Sequence, residues 1–194
     1  MIMKKLILGF AALLLSLAVF AQENQHLTFK KVPIDGTLNQ FVTKMKAVGF
    51  TVVGQESKTA ILKGDFAGNK ECRVDVQTLD NKDLVYYVSV QFPYEDTWMA
   101  LEGDYKNLKS MLTTKYGEPF KSVESFQKPS MADDDNGKLF EVKMHRCDYS
   151  TIWETQEGKI GLMIFSYNNE CYVILGYYDK INGKIISDAA IDDL

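Results

Sequence analysis

The sequence predicts an α+β fold in which helices pack on one face of antiparallel sheet, giving two layers. Three observations carry this expectation. A long segment, Asp96 to Tyr116, spaces Trp98, Leu101, Tyr105, Leu108, Met111 and Leu112 as one apolar helical stripe. On both sides of it lie runs in which apolar and polar residues alternate with period two. The connections between those runs are short, which makes neighbouring strands antiparallel.

A leader precedes the fold. Lys4 and Lys5 form a basic start, Leu6 to Phe20 is an apolar run, and Val19-Phe20-Ala21 supplies the processing site, with the cut after Ala21. The run is shorter than the roughly 20 residues of a membrane-spanning helix. The expectation is therefore a cleaved signal peptide over 1–21, a periplasmic or secreted product, and no stable membrane insertion after cleavage. Cleavage removes two lysines, so 20 basic side chains face 26 acidic ones and net charge moves from −4 to −6. A mildly acidic surface without clustered Lys or Arg argues against nucleic acid and anionic membrane as partners.

The elements follow in order. Leu27 to Val32 reads as a short strand stopped by Pro33. Thr37 and Gln40 have capping-box spacing, and Leu38, Phe41, Val42, Met45 and Val48 share a helical face that ends at Gly49. Four strands follow. Thr51–Val53 is brief, and Ala60, Leu62 and Phe66 alternate with charge. Cys72, Val74 and Val76 form the third strand, and Leu84, Tyr86, Val88, Val90 and Phe92 form the fourth. Gly68-Asn69 and Asp80 to Asp83 are the turns. Asp96 is the expected N-cap of the long helix, which Gly103-Asp104 divides and Gly117 ends. A second set of four strands is expected over Phe120–Phe126, a long bulged Leu139–Thr155, Ile160–Tyr167 and Cys171–Tyr178. A Pro-, Ser- and Asp-rich loop over 128–137 separates the first two of these, and Asn182-Gly183 marks a turn in the tail. The order is helix then four strands, twice, so residues 22–95 and 96–194 read as two tandem halves.

Chemistry is sparse. Asp133-Asp134-Asp135-Asn136-Gly137 fails as a calcium loop, because fixing Gly137 at the sixth position leaves Ala132 first and Lys143 twelfth. His145, Cys147 and Cys171 lack the paired spacing of a structural metal site, so no metal or cofactor is expected. Only His26 and His145 offer imidazole, and neither a Gly-x-Ser-x-Gly elbow nor a Gly-rich phosphate loop occurs. No catalytic residue emerges and no enzymatic activity is expected. The three cysteines are an odd number, and pairing of Cys147 with Cys171 stays open.

The informative feature is the second set of strands. Outward positions of the first set carry Lys63, Asp65, Arg73, Asp75 and Gln77, as a solvated face should. In Ile160–Tyr167 and Cys171–Tyr178 both faces are apolar or aromatic. One must be covered by the tail, by the other half or by a partner. An aromatic sheet face rimmed with charge suits a protein or peptide partner, with Tyr149, Trp153, Phe165, Tyr167 and Tyr172 as the contact residues. A hydrolase of envelope glycan or peptide acting through acidic residues, and a small-ligand carrier with an enclosed pocket, are the alternatives.

This order of elements, with Gly49 and Gly117 ending the helices and the aromatic second sheet, resembles the β-lactamase-inhibitory-protein-like fold over Thr37 to Ile181. A pair of PepSY-like domains is the nearest other likeness. The first resemblance implies a concave sheet presenting aromatic residues to a protein partner. Its halves usually each carry a disulfide, whereas the first half here holds Cys72 alone.

Overall fold

A computed structural model describes residues 25–185; the expected leader over 1–21 and the last residues of the tail lie outside them. The described residues form ten strands and three full helices. A tight hairpin of β1 (Thr28–Phe29) and β2 (Val32–Pro33) replaces the single strand expected at Leu27 to Val32, because Lys30 and Lys31 both take positive φ. Helix α1 (Leu38–Ala47) starts with the expected capping box: Gln40 N–H donates to Thr37 Oγ1 at 3.3 Å while Gln40 Oε1 accepts from Thr37 N at 3.0 Å. Leu38, Phe41, Val42 and Met45 are buried, and Val48 falls outside the stripe.

Strands β3 (Thr51–Gln55), β4 (Thr59–Phe66), β5 (Asn69–Leu79) and β6 (Lys82–Gln91) form an antiparallel meander. Strict alternation fails in β6. The register shifts where Gln77 pairs Tyr87 but Thr78 pairs Val85, so Val85, Val88, Val90 and Phe92 are buried, whereas Leu84 and Tyr86 are not. The bulge leaves Tyr86 and Tyr87 both half-buried.

Helix α2 (Trp98–Tyr116) begins at Thr97 rather than Asp96, because Thr97 is extended and its hydroxyl accepts from Ala100 N at 3.3 Å. The helix runs unbroken through Gly103-Asp104 and stops at Gly117, where φ is +84°. Next come β7 (Lys121–Phe126), a 3-10 turn at Pro129–Met131, α3 (Asp135–Lys143), β8 (Cys147–Glu154), β9 (Gly158–Tyr167) and β10 (Glu170–Asp179). The long strand expected over Leu139–Thr155 is thus a helix followed by a strand. What read as a change of strand parity is the change from helical to strand period: Leu139 and Val142 are buried one turn apart, while Phe140 and Met144 are exposed. The Asp-rich run is the start of that helix, since Asp134 Oδ1 accepts from Gly137 N at 2.7 Å. Gly137 has no room for a side chain, as a Cβ there would stand 2.4 Å from the Met131 carbonyl oxygen.

β3 to β10 make one eight-stranded antiparallel sheet in the order β3-β4-β5-β6-β10-β9-β8-β7. The two meanders join where β6 pairs β10. Cross-strand partners point to the same face, so Leu62, Val74, Val90, Leu175, Leu162 and Thr151 form one row across six strands, all of them buried. The five apolar residues of this row share the core with Phe41 and Met45 of α1, Trp98, Leu101 and Leu108 of α2, and Leu139 and Val142 of α3.

Residues 180–185 are helical, so Asn182-Gly183 is not a turn. Asp179, fully buried, caps this segment by accepting from Asn182 N at 2.9 Å, and it also accepts from Leu27 N at 2.7 Å and contacts His26 Nδ1 at 3.0 Å. The Asn182 side chain donates to Val85 O at 2.8 Å and Ile34 O at 3.2 Å. Both ends of the described chain are therefore tied to the sheet by satisfied buried polar groups.

Arg146 closes α3 onto β8 by donating to both oxygens of buried Glu141, at 2.6 and 2.8 Å. That fork holds the Glu141 carboxyl below its ordinary value of 4.5. A carboxyl lowered by folding adds stability above its unfolded value and loses it as pH falls through the folded one. Glu141→Gln should therefore flatten the loss of stability below pH 4.5, measured by urea unfolding at pH 6 and pH 3.

Candidate functional site

The face of the sheet turned away from the core is where function can be sought, and registration makes it readable. Along one row, Asp75 pairs Ser89, Ser89 pairs Gly176, Gly176 pairs Gly161, and Gly161 pairs Ile152. Two residues away in one direction runs the row Tyr87, Tyr178, Lys159; two residues in the other runs Ile174, Met163, Ser150. Paired glycines between two rows of larger side chains leave a trough across the strands, with a cavity volume of about 380 Å³. The phenol of Tyr87 leans over Gly176, since a Cβ there would lie 2.5 Å from its hydroxyl. Above Gly161 the space is open, and a Cβ would meet nothing within 4 Å.

Lys159 is the one charged side chain lining the trough, and its ammonium pairs with Glu154 across the strands at 2.8 Å. Burial raises the Tyr87 phenol above its ordinary value, so it stays a neutral donor. Beyond the Met163 and Ile174 row, Phe165 pairs Tyr172 with ring centroids 6.1 Å apart, and the His145 ring lies 5.5 Å from Phe165. Phe165 is 37 % exposed, Met163 41 % and Tyr167 64 %, whereas Tyr172 is 5 % exposed. The apolar strip continues from the trough to the β9–β10 turn, where Asn168 and Asn169 both take positive φ. The same face on β4 and β5 is polar: Lys63 pairs Glu71, and Arg73 donates to Asp75 at 2.8 Å.

The five aromatic residues expected to share a contact face do not share one. Tyr149 and Trp153 stand in the same strand positions as Thr151 and point into the core. Trp153 is 1 % exposed and donates through Nε1 to Gly117 O at 3.1 Å. Tyr149 stacks edge-on against Trp98 and Tyr105 at 5.1 and 5.6 Å, and burial with the nearby Glu102 carboxylate raises its phenol. Phe165, Tyr167 and Tyr172 lie on the opposite face. The trough itself escaped the sequence reading. Its signal is a glycine in each of two adjacent apolar strands, which acquires meaning only when register sets Gly161 beside Gly176.

Cys72, Cys147 and Cys171 are free thiols, and burial pushes Cys147 up to about 12. Among the described residues no group of three or more His, Cys, Asp or Glu converges as metal ligands would. Lys109 Nζ donates to Ser122 Oγ at 2.8 Å and also to Glu124 Oε1. Ser122 and Tyr105 both reach the buried Thr151 hydroxyl, at 2.9 and 2.6 Å, and satisfy it. Among the described residues no helix is long and apolar enough to cross a membrane. No protein-family model, curated protein or solved structure matches this chain.

The two faces predict different responses to truncation. Trp153→Ala removes a buried ring and should cost about 3–5 kcal/mol, while Phe165→Ala, one third exposed, should cost less than about 1.5 kcal/mol. Urea denaturation of the two variants checks the order, and equal losses would contradict the assignment of faces.

Proposed function

We propose that this chain is an exported binding protein that holds a protein or peptide partner on the face of its sheet opposite the core. The observation that carries the reading is the trough over Gly161 and Gly176, which continues into the strip of Met163, Phe165, Tyr167 and Tyr172. Protein interfaces draw most of their energy from a few large apolar anchors seated in desolvated pockets. A trough of about 380 Å³ with apolar walls has room for one or two such side chains. Lys159 and Glu154 at one end and the Arg73–Asp75 pair on the neighbouring strands supply the polar rim. Among the described residues no Asp or Glu lines the trough, which favours binding over carboxylate-pair hydrolysis as its use.

The same reading takes the chain as two tandem halves, α1 with β3–β6 and α2 with β7–β10, with the helices layered on the core side of the sheet. Support comes from the order of elements and from the mirrored run of strands outward from the β6–β10 pair. It fits the resemblance to the β-lactamase-inhibitory-protein-like fold, whose members meet a protein through an aromatic sheet surface. The leader over 1–21 fits delivery to the periplasm or the medium.

Panning a displayed peptide library tests the proposal. The chain from Gln22 should enrich peptides carrying large apolar residues, and Gly161→Phe, at a position where a Cβ meets nothing within 4 Å, should abolish that enrichment. Equal enrichment on both proteins would contradict it.

A further inference from the structure

We propose that the partner on this face is a second copy of the chain, docked about a two-fold axis through Met163 so that Phe165 of each copy enters the trough of the other; this rests on the trough being the docking site argued above. The first support is that hole and knob stand on one strand. Gly161 and Phe165 both belong to β9 and share a face, four residues or about 13 Å apart. The space above Gly161 is open, and Phe165 is 37 % exposed. Met163 lies midway between them and pairs Ile174. An axis along that row lays β9 antiparallel on the other copy's β9. It sets Gly161 opposite Phe165 twice over and Gly176 opposite Tyr172, the reciprocity that a two-fold interface requires. Sheets stacked face to face stand about 10 Å apart and interdigitate their side chains, a depth that suits a phenylalanine ring over a glycine.

The second support is charge. Lys121 of β7 pairs Ile152, so it stands at the level of the glycine row on the same face. Asp148 of β8 shares that face two residues before Ser150, which pairs Met163, so it stands at the level of Phe165. Within one chain Asp148 pairs Ser125, four residues or about 13 Å along β7 from Lys121, too far for an ion pair. Both side chains are exposed, and Asp148 accepts a long 3.5 Å hydrogen bond from Gln127. The axis at Met163 places each Asp148 over Ile152 of the other copy, one strand from its Lys121. The rotation that seats Phe165 thus also forms two reciprocal ion pairs. Lys63–Glu71 and Arg73–Asp75 keep their own pairing and supply the polar rim.

The third support is extent. From Lys159 to Tyr167 the face runs about 27 Å along β9, and from β6 to β7 it is about 24 Å wide. That is about 650 Å² before side-chain relief is counted, close to the roughly 800 Å² each partner gives a standard interface.

Sedimentation equilibrium of the chain from Gln22 tests the proposal. The chain should sediment at twice its mass. Gly161→Phe and Phe165→Ala should each weaken self-association by about tenfold or more. The double variant, which moves the ring to the other side of the same contact, should regain most of it. Asp148→Lys should weaken association too, and adding Lys121→Asp should restore it; both positions are exposed, so these variants keep the fold. A monomer at about 0.1 mM, or a dimer indifferent to all of these changes, would overturn the proposal. If the chain is monomeric and Gly161→Phe still abolishes peptide enrichment, the trough stands as a docking site and only the second copy falls. Should enrichment also ignore Gly161→Phe, the docking reading falls and takes the dimer with it.

Discussion

Strand β10 is hydrogen-bonded on both sides, to β6 and to β9, and those two registers are the constraint on which the rest of the molecule depends. They turn two four-stranded meanders into one sheet. They also align Leu175 with Val90 and Leu162, continuing the buried row without a break. On the reverse side the same alignment sets Gly176 between Ser89 and Gly161. A slip of one residue would carry Val173, Leu175 and Tyr177 out of the core and bury Tyr172, Ile174 and Tyr178 in their place. Core and trough are thus two sides of one register, and selection on either constrains the other.

The end of β10 is held by polar groups. Asp179 is buried with three donors around it, and Asn182 bridges the sheet to the segment after β2. A buried carboxylate is costly unless its hydrogen bonds are met, and here they come from the N-terminal segment and from the turn that the carboxylate itself caps. This ties the position of Tyr178, one residue before Asp179, to the packing of both chain ends.

Much of the fold was legible because it rests on local chemistry. The Thr37–Gln40 box, the stops at Gly49 and Gly117 and the stripe of α2, apart from Met111, which is exposed, each follow from interactions within a few residues. One error fell where a neighbouring strand decides, and two where a side-chain cap three residues away starts a helix. Leu139–Thr155 reads as one strand until Asp134 is seen capping a helix, and β6 alternates cleanly until its partner β5 imposes a bulge. Asn182-Gly183 has the composition of a turn, yet buried Asp179 draws it into a helical one. For the site, the expectation of apolar residues on both faces of β9 and β10 points to strands that line the trough. Tyr149 and Trp153 went to the wrong face because the assumed β8 started in what is α3. The pairing of Gly161 with Gly176 is invisible in a one-dimensional reading, since it exists only across strands.

The central claim is that a partner's apolar side chain seats over Gly161. Mapping ¹⁵N–¹H shift changes of the full chain during titration with a peptide selected by panning tests it most directly. The account predicts a contiguous set of perturbed amides at Ile152, Gly161, Met163, Ile174 and Gly176. Perturbations confined to the helices or to the edge strands β3 and β7 would contradict it.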